Sequence, residues 1–411
     1  MSTRNSVNHK MRKKIDYSAE TCPLVTIQLP IYNEKYVAAR LINAICNMDF
    51  PKGRMEIQVL DDSDDETTSI IETLVDKNKK LGINIAVFHR ANRSGYKAGA
   101  LKEGLKFAKG EFIAIFDADF IPPSDFLRKA LSYFDDSKIG LVQGRWGHIN
   151  EKYSALTKAQ AVCLDLHFFI EQKAKSLTHL FMNFNGTAGI WRTSCINDAG
   201  GWHTGTLVED LDLSFRAQMK GWKCIFDEDL VVNAELPVQM NAAKRQQFRW
   251  AKGSIQVAKK LLLILLSHRK LPIDTKIQIF IQLTKHIINP LFLIQFLIFP
   301  ILLLMNYQIY DTAWAPALGI VAYLLLGPIT YLVMIRKIWR ENWRAKAIQY
   351  LFMIFYAGGI SINNSVAIFD ALLGKRNEFL RTPKFGIMEK NQDWSNNKYG
   401  LPFIKTTLLE I

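Results

Sequence analysis

The sequence predicts an α/β domain followed by interfacial and transmembrane helices. Three observations lead there. From residue 24 to 120, strand-like apolar runs alternate with helix-like stretches, the order that builds a parallel, doubly wound sheet. Carboxylate pairs follow apolar runs at Asp61-Asp62 and Asp117-Ala118-Asp119, and one opens a helix-like stretch at Glu209-Asp210. Beyond residue 253 the chain turns into uncharged runs of membrane length.

Residues 1–23 read as a basic tail, and Met1 to Tyr17 lacks the apolar core of a secretory signal. Val25 to Leu29 predicts a strand stopped by Pro30, and Val37 to Met48 a helix stopped near Pro51. Strand-like and helix-like runs then alternate: Ile57 to Leu60, Thr67 to Lys80, Ile83 to Phe88, Ala98 to Ala108, Phe112 to Phe116. Ligands of such sheets bind at the carboxyl ends of the strands, so Asn33-Glu34, Asp61-Asp62, Asp117 and Asp119 are expected along one edge. Residues 140–250 are less regular and rich in Gly and Trp, and the domain is expected to span 24–253.

The remainder, 254–411, reads as a membrane region. Residues 254–268 are too short to span and suit a helix lying at the interface. Spanning helices are expected at 287–306 and 314–335. Basic residues precede the first (Arg269, Lys270, Lys276, Lys285) and follow the second (Arg336, Lys337, Arg340, Arg344, Lys346), whereas 306–313 has neither Lys nor Arg. Positive loops mark the cytosolic side. The third run, 347–369, has basic flanks on both sides and is expected to be re-entrant or interfacial, which keeps residues 379–385 cytosolic.

Charge follows the same division. The formal net charge is +14, yet residues 1–239 balance, so the whole excess falls on 240–411. A basic flank beside apolar segments points to lipid headgroups rather than nucleic acid. The five cysteines are scattered, without the spacing of a zinc site or a disulfide framework, and read as reduced thiols.

Four groups of residues carry chemistry. Asp117 and Asp119, at i and i+2 after a strand, suit a hard cation, Mg²⁺ or Mn²⁺, and the diphosphate it bridges. Asp61-Asp62 can accept the N–H groups of a nucleobase or form an acidic turn; Tyr32 and Glu34 can complete a nucleoside pocket, and Lys97 can reach a phosphate at a helix start. Asp210, beside Glu209, suits a general base for an acceptor hydroxyl, although acids are also favoured at a helix N-terminus for its dipole. Gln246, Arg249 and Trp250 share one helical face, where Arg can grip a diphosphate and Trp offers a flat face to a sugar ring.

Asp61-Asp62, Asp117-Ala118-Asp119, Val208-Glu209-Asp210 and Gln246-x-x-Arg249-Trp250, in this order over residues 24–390, closely resemble the membrane-embedded family 2 glycosyltransferases of the cellulose synthase-like group. Phe184 to Gly189 and Gly200-Gly201-Trp202 are most similar to the mannan- and glucan-forming members, which makes Trp202 a candidate acceptor contact beside Gln246 and Trp250. The resemblance implies a GT-A fold, a cytosolic UDP- or GDP-sugar donor, a divalent metal, and inverting β-transfer to a polysaccharide. Phe379 to Lys384 resembles the family's gating loop, with Phe379, Thr382 and Lys384 matching and Arg381 standing where Val is usual. A glycolipid acceptor, additional membrane subunits, or a non-catalytic role in an export complex are the alternatives.

Overall fold

The computed structural model describes residues 21–305, 328–376 and 379–394. Eight strands form one sheet: β1 (Val25–Ile31), β2 (Met55–Asp61), β3 (Ile85–His89), β4 (Phe112–Ile115), β5 (Phe120–Ile121), β6 (Ile139–His148), β7 (Gly189–Arg192) and β8 (Lys223–Ala234). Their spatial order is β3-β2-β1-β4-β7-β6-β8-β5.

The first four strands are parallel, as their alternation with helices requires. The helices between them are α1 (Ala38–Cys46), α2 (Thr67–Lys80) and α3 (Tyr96–Phe107). The expected elements are all present, with ends displaced by a few residues. The second half of the sheet departs from the purely parallel expectation. β7 runs antiparallel between β4 and β6, and β5 is antiparallel to β8, while β6 and β8 are parallel. Both faces are covered, so β1, β2 and β4 are apolar and buried along nearly their whole length. One core lies under α1 and α2 with Ile27, Leu29 and Ile57. The other lies on the opposite face with Ile113, Trp191, Leu213 and Phe226.

The remaining helices are α4 (Phe126–Leu131), α5 (Ala155–Leu166), α6 (Lys173–Leu177), α7 (Thr193–Asp198), α8 (Glu209–Met219), α9 (Met240–Ser267), α10 (Ile273–Thr284), α11 (Ile288–Leu304), α12 (Trp343–Gly359) and α13 (Ser361–Leu372). A π-helical turn, His167–Gln172, joins α5 to α6. Residues 254–267, expected as a separate interfacial helix, continue the 28-residue α9 without a break. One side of that stretch is buried through Ile255, Val257, Leu261 and Leu265, while Leu263 and Ile264 face outward.

α10 and α11 follow one another so closely that Ile273–Leu302 is long and apolar enough to cross a bilayer, and none of its apolar window is buried. It begins before the expected 287. α12 and α13 meet at a 47° bend around Ile360. Residues 306–327, with most of the expected second span, lie outside the described residues; 328–338 are helical.

Candidate functional site

β1, β2 and β4 end at the same edge, and their continuations line a cavity of about 130 Å³. Tyr32 and Glu34 follow β1, Asp62 follows β2, and Asp117 and Asp119 follow β4; all five line it, together with Lys97 of α3. Asp61 does not. It is buried, its Oδ1 accepts from Ser63 N at 3.0 Å, and its Oδ2 accepts from Thr68 Oγ1 at 2.9 Å and lies 2.9 Å from His89 Nδ1. Both oxygens of Asp61 thus serve the turn after β2, and the side chain stands outside the cavity lining. Asp62 is gripped by the fork of Arg90, whose Nε lies 2.7 Å from Oδ1 and Nη2 2.5 Å from Oδ2. Arg93 stacks its guanidinium 3.3 Å over the Tyr32 ring and lines the same wall.

In the middle of the site a lysine faces three carboxyl groups. Lys97 Nζ donates to Asp117 Oδ1 at 2.5 Å and to Gly186 O at 2.9 Å. Burial works against the ammonium, but Asp117, Glu209 and Asp210 outweigh it, so the pKa of Lys97 sits above its ordinary value. Gly186 has φ +84, and a Cβ there would stand 3.0 Å from Asp210 Oδ2 and 3.4 Å from Lys97 Nζ. Only glycine lets the backbone pass so close to both groups. Asp210 lies in the first turn of α8, and its pKa is pushed up to about 7 by burial and by the neighbouring Glu209 carboxylate. A base of that strength is half ionised near neutrality, as general-base catalysis favours.

α9 crosses the site. Gln246 and Arg249 line the first cavity, while Gln247 and Trp250 line a second one of about 320 Å³. Gln246 therefore faces the cavity of Asp117 and Asp119, whereas Trp250, expected beside it, lines the second. Arg249 lies 4.4 Å from the Phe379 ring centre, and its Nη2 donates to Thr382 Oγ1 at 3.1 Å. Burial lowers its pKa, opposed by Glu209, Asp117, Glu34 and Asp210. Phe379 also stacks on Tyr96 at 5.6 Å. Lys384 ties the same loop to Asp119 at 2.7 Å and to the carbonyl of Glu235. The three loop residues thus all reach the site.

The second cavity shares Trp146 and Leu164 with the first and contains Asp210, His167, Asn185, Tyr331 and Trp250. Asp210 lines only the second, with Gly186 between it and Lys97 of the first. Trp202, expected near an acceptor, is 1% exposed and packed in the core with Trp191 and Leu213. No ring face is left for a ligand, so that expectation is corrected.

Sequence reasoning missed Arg93 and Glu235. Glu235, at the end of β8, accepts from the backbone N–H groups of Phe385 and Gly386 at 2.8 and 3.0 Å and so clamps the loop. Nothing local marks it, because its partners are 150 residues away.

Asp117 and Asp119 fit a divalent cation. Burial raises the pKa of Asp117, and Glu34 beside the pair is pushed up to about 8 by burial and by Asp119, with its Oε2 unpartnered. Each of the two carboxylates already meets an ammonium, Asp117 that of Lys97 and Asp119 that of Lys384, so a cation would share them with these lysines. Among the described residues no three His, Cys, Asp or Glu side chains form a complete metal cage. A cation there would share its coordination with donor phosphates, as Mg²⁺ commonly does.

A family model described as glycosyltransferase like family 2 matches residues 23–253. A glucomannan 4-beta-mannosyltransferase 1 of Oryza sativa subsp. japonica is 35% identical over 393 residues, covering 93% of this chain and 73% of the relative. A glucomannan 4-beta-mannosyltransferase 9 of Arabidopsis thaliana is 34% identical over 403 residues, 96% and 73% of the two chains. Among solved structures, the mannosyltransferase PcManGT from Pyrobaculum calidifontis, in complex with GDP-Man and Mn²⁺, superposes with a TM-score of 0.58 at 20% identity, covering 86% of this chain and 88% of that one. The expected GT-A-like fold is thus the observed one.

Proposed function

This chain belongs to the glycosyltransferase like family 2, and we propose that it is a metal-dependent, inverting β-mannosyltransferase that extends a β-linked polysaccharide at the cytosolic membrane face. The observation that carries the reading is the position of Asp210. Its carboxyl lines the second cavity, walled by Trp250, His167 and Asn185, and stands across Gly186 from Lys97, which lines the first cavity with Asp117, Asp119 and Arg249. The first has the cationic and carboxylate groups a metal-bound diphosphate needs. The second has the aromatic faces and amides that suit a sugar chain.

Asp210, ionised, takes the proton of an acceptor hydroxyl as that oxygen attacks the donor sugar from the side opposite the leaving diphosphate. Arg249 and Lys97 hold the charge that develops on the diphosphate. A bound Mg²⁺ or Mn²⁺ supplies further charge stabilisation to that leaving group. The loop through Phe379, Thr382 and Lys384 covers the donor and excludes water. Mannose is favoured by the two relatives' shared activity. For the membrane region, the reading takes Ile273–Leu302 as one span, the expected 314–335 run as a second, and the bent α12–α13 pair as re-entrant; two crossings keep the loop on the catalytic side.

The test is incubation of membranes holding the full chain with radiolabelled GDP-mannose or UDP-glucose and β-mannan oligosaccharides, followed by product sizing and β-mannanase digestion. Labelled, digestible oligosaccharide is expected. Label confined to the lipid phase would replace this reading with a glycolipid-forming one.

A further inference from the structure

Beyond the motifs, one wall of the first cavity comes from β6, through Trp146, Gly147 and His148. In the sheet order this strand stands on the far side of β4 from β1 and β2, which carry Tyr32 and Asp62. The His148 side chain is 5% exposed, and its Nε2 lies 2.9 Å from Asp165 Oδ1 on α5. Asp165 is held in turn. Lys346 Nζ, on α12, lies 3.5 Å from its Oδ2 and 2.7 Å from Glu151 Oε1. Burial tends to raise the Asp165 pKa, but His148 and Lys346 bring it below the ordinary value, so the group stays an ionised acceptor. A carboxylate on Nε2 engages that nitrogen as an N–H donor, orients the ring, and leaves Nδ1 as its other polar atom. A ring nitrogen in a buried wall suits a sugar hydroxyl, which can donate or accept. A nucleoside at the ends of β1 and β2, with its diphosphate at Asp117 and Asp119, leaves the transferred sugar on the β6 side.

We propose that His148 is a specificity-determining residue that hydrogen-bonds a hydroxyl of the donor hexose, and that Asp165 is its positioning residue. The proposal rests on the glycosyl-transfer reading above. A pocket built to bond one hydroxyl discriminates against sugars that lack it in that orientation, because the buried polar atom is then left unpaired.

The experiment compares GDP-mannose, GDP-glucose, GDP and UDP, with Mn²⁺ present, on the detergent-solubilised full chain, by calorimetry and, for the two sugars, by kcat/KM. His148→Phe keeps the ring and its bulk, and Asp165→Asn keeps the fold of α5 while removing the charge that orients the imidazole. Both variants should bind GDP as the parent does. His148→Phe should lose roughly tenfold or more of the parent's preference between the two sugars, and Asp165→Asn a smaller part of it, in keeping with a lost hydrogen bond in a buried site. A parent-like preference in His148→Phe, with GDP affinity unchanged, overturns the proposal. A variant that loses GDP affinity equally with sugar-nucleotide affinity overturns it as well, since the role would then be structural. If the parent itself binds neither GDP nor UDP, the glycosyl-transfer reading falls, and this inference with it.

Discussion

Lys384 Nζ lies 2.7 Å from Asp119 Oδ2, across 265 residues of sequence. Lys384 is also held by the carbonyl of Glu235, whose carboxylate receives the next two backbone N–H groups of the loop. The loop therefore closes directly on one of the two carboxylates that suit the metal. Asp119→Ala should remove the metal-dependent part of nucleotide binding, because one of two hard oxygen ligands is lost. Calorimetry of GDP and UDP with and without Mn²⁺ checks this. Equal affinity in the parent with and without metal would sink the metal assignment.

Glu235→Gln should loosen the loop without touching the donor. It keeps the side-chain volume but replaces a charged acceptor of two N–H groups by a neutral amide, and hydrogen bonds to charged groups are about twice as strong as neutral ones. A raised KM for the nucleotide sugar, with kcat changed less, is the expected split. A parent-like KM together with unchanged protease sensitivity at residues 379–388 would show that the clamp does not hold the loop.

Asp210→Asn should leave nucleotide binding nearly intact and lower transfer by roughly 10²–10⁴, the usual contribution of a general base. The residual steric fit is the same, so binding serves as the folding control. Near-parent turnover would assign Asp210 to helix capping alone.

The pH dependence follows from the same carboxyl. With a pKa near 7, Asp210 is protonated and idle in acid, so kcat should rise with pH through neutrality. Because Glu209 interacts with it, the acidic limb belongs to the pair. The sign for stability is opposite. Between 3.8 and about 7 the unfolded chain ionises this group while the folded one keeps its proton, so stability falls as pH rises through that window. Asp210→Asn removes the penalty, and its Tm should exceed the parent's at pH 8 and approach it near pH 4. A Tm gap independent of pH would mean that the carboxyl is not buried as described.

Topology can be tested at Met388, which is exposed, in contrast to Gly386, where φ is +74 and a Cβ would crowd Tyr36 O at 3.1 Å. In a Cys-free background, Met388→Cys should react with an impermeant thiol reagent only after the cytosolic face is opened, together with a Cys placed at the exposed Leu81 of the catalytic domain. Labelling of Met388→Cys in intact cells, with Leu81→Cys protected, would mean that α12 and α13 cross the membrane.

Much of the fold was written in local pattern. Continuous apolar runs marked β1, β2 and β4, and strand ends followed by carboxylates marked the edge of the site, because burial on both faces demands apolar strands and parallel strands end together. The placing of Asp117, Asp119 and Arg249 on the first cavity followed from short patterns on single elements, while the Phe379 loop was marked only by its resemblance to the family. What tertiary structure alone decided was the use of each side chain. Asp61 and Asp62 are adjacent and chemically identical, yet alternation along β2 sends Asp61 inward to Ser63, Thr68 and His89 and leaves Asp62 facing the cavity and Arg90. Trp202 went to the core, and Glu235 became the clamp of a loop 150 residues away. The antiparallel β7 in the middle of the sheet is likewise set by partners distant in sequence. Periodicity reports which face of an element is apolar. Which distant group meets the polar face depends on how the elements pack, and no local window contains that information.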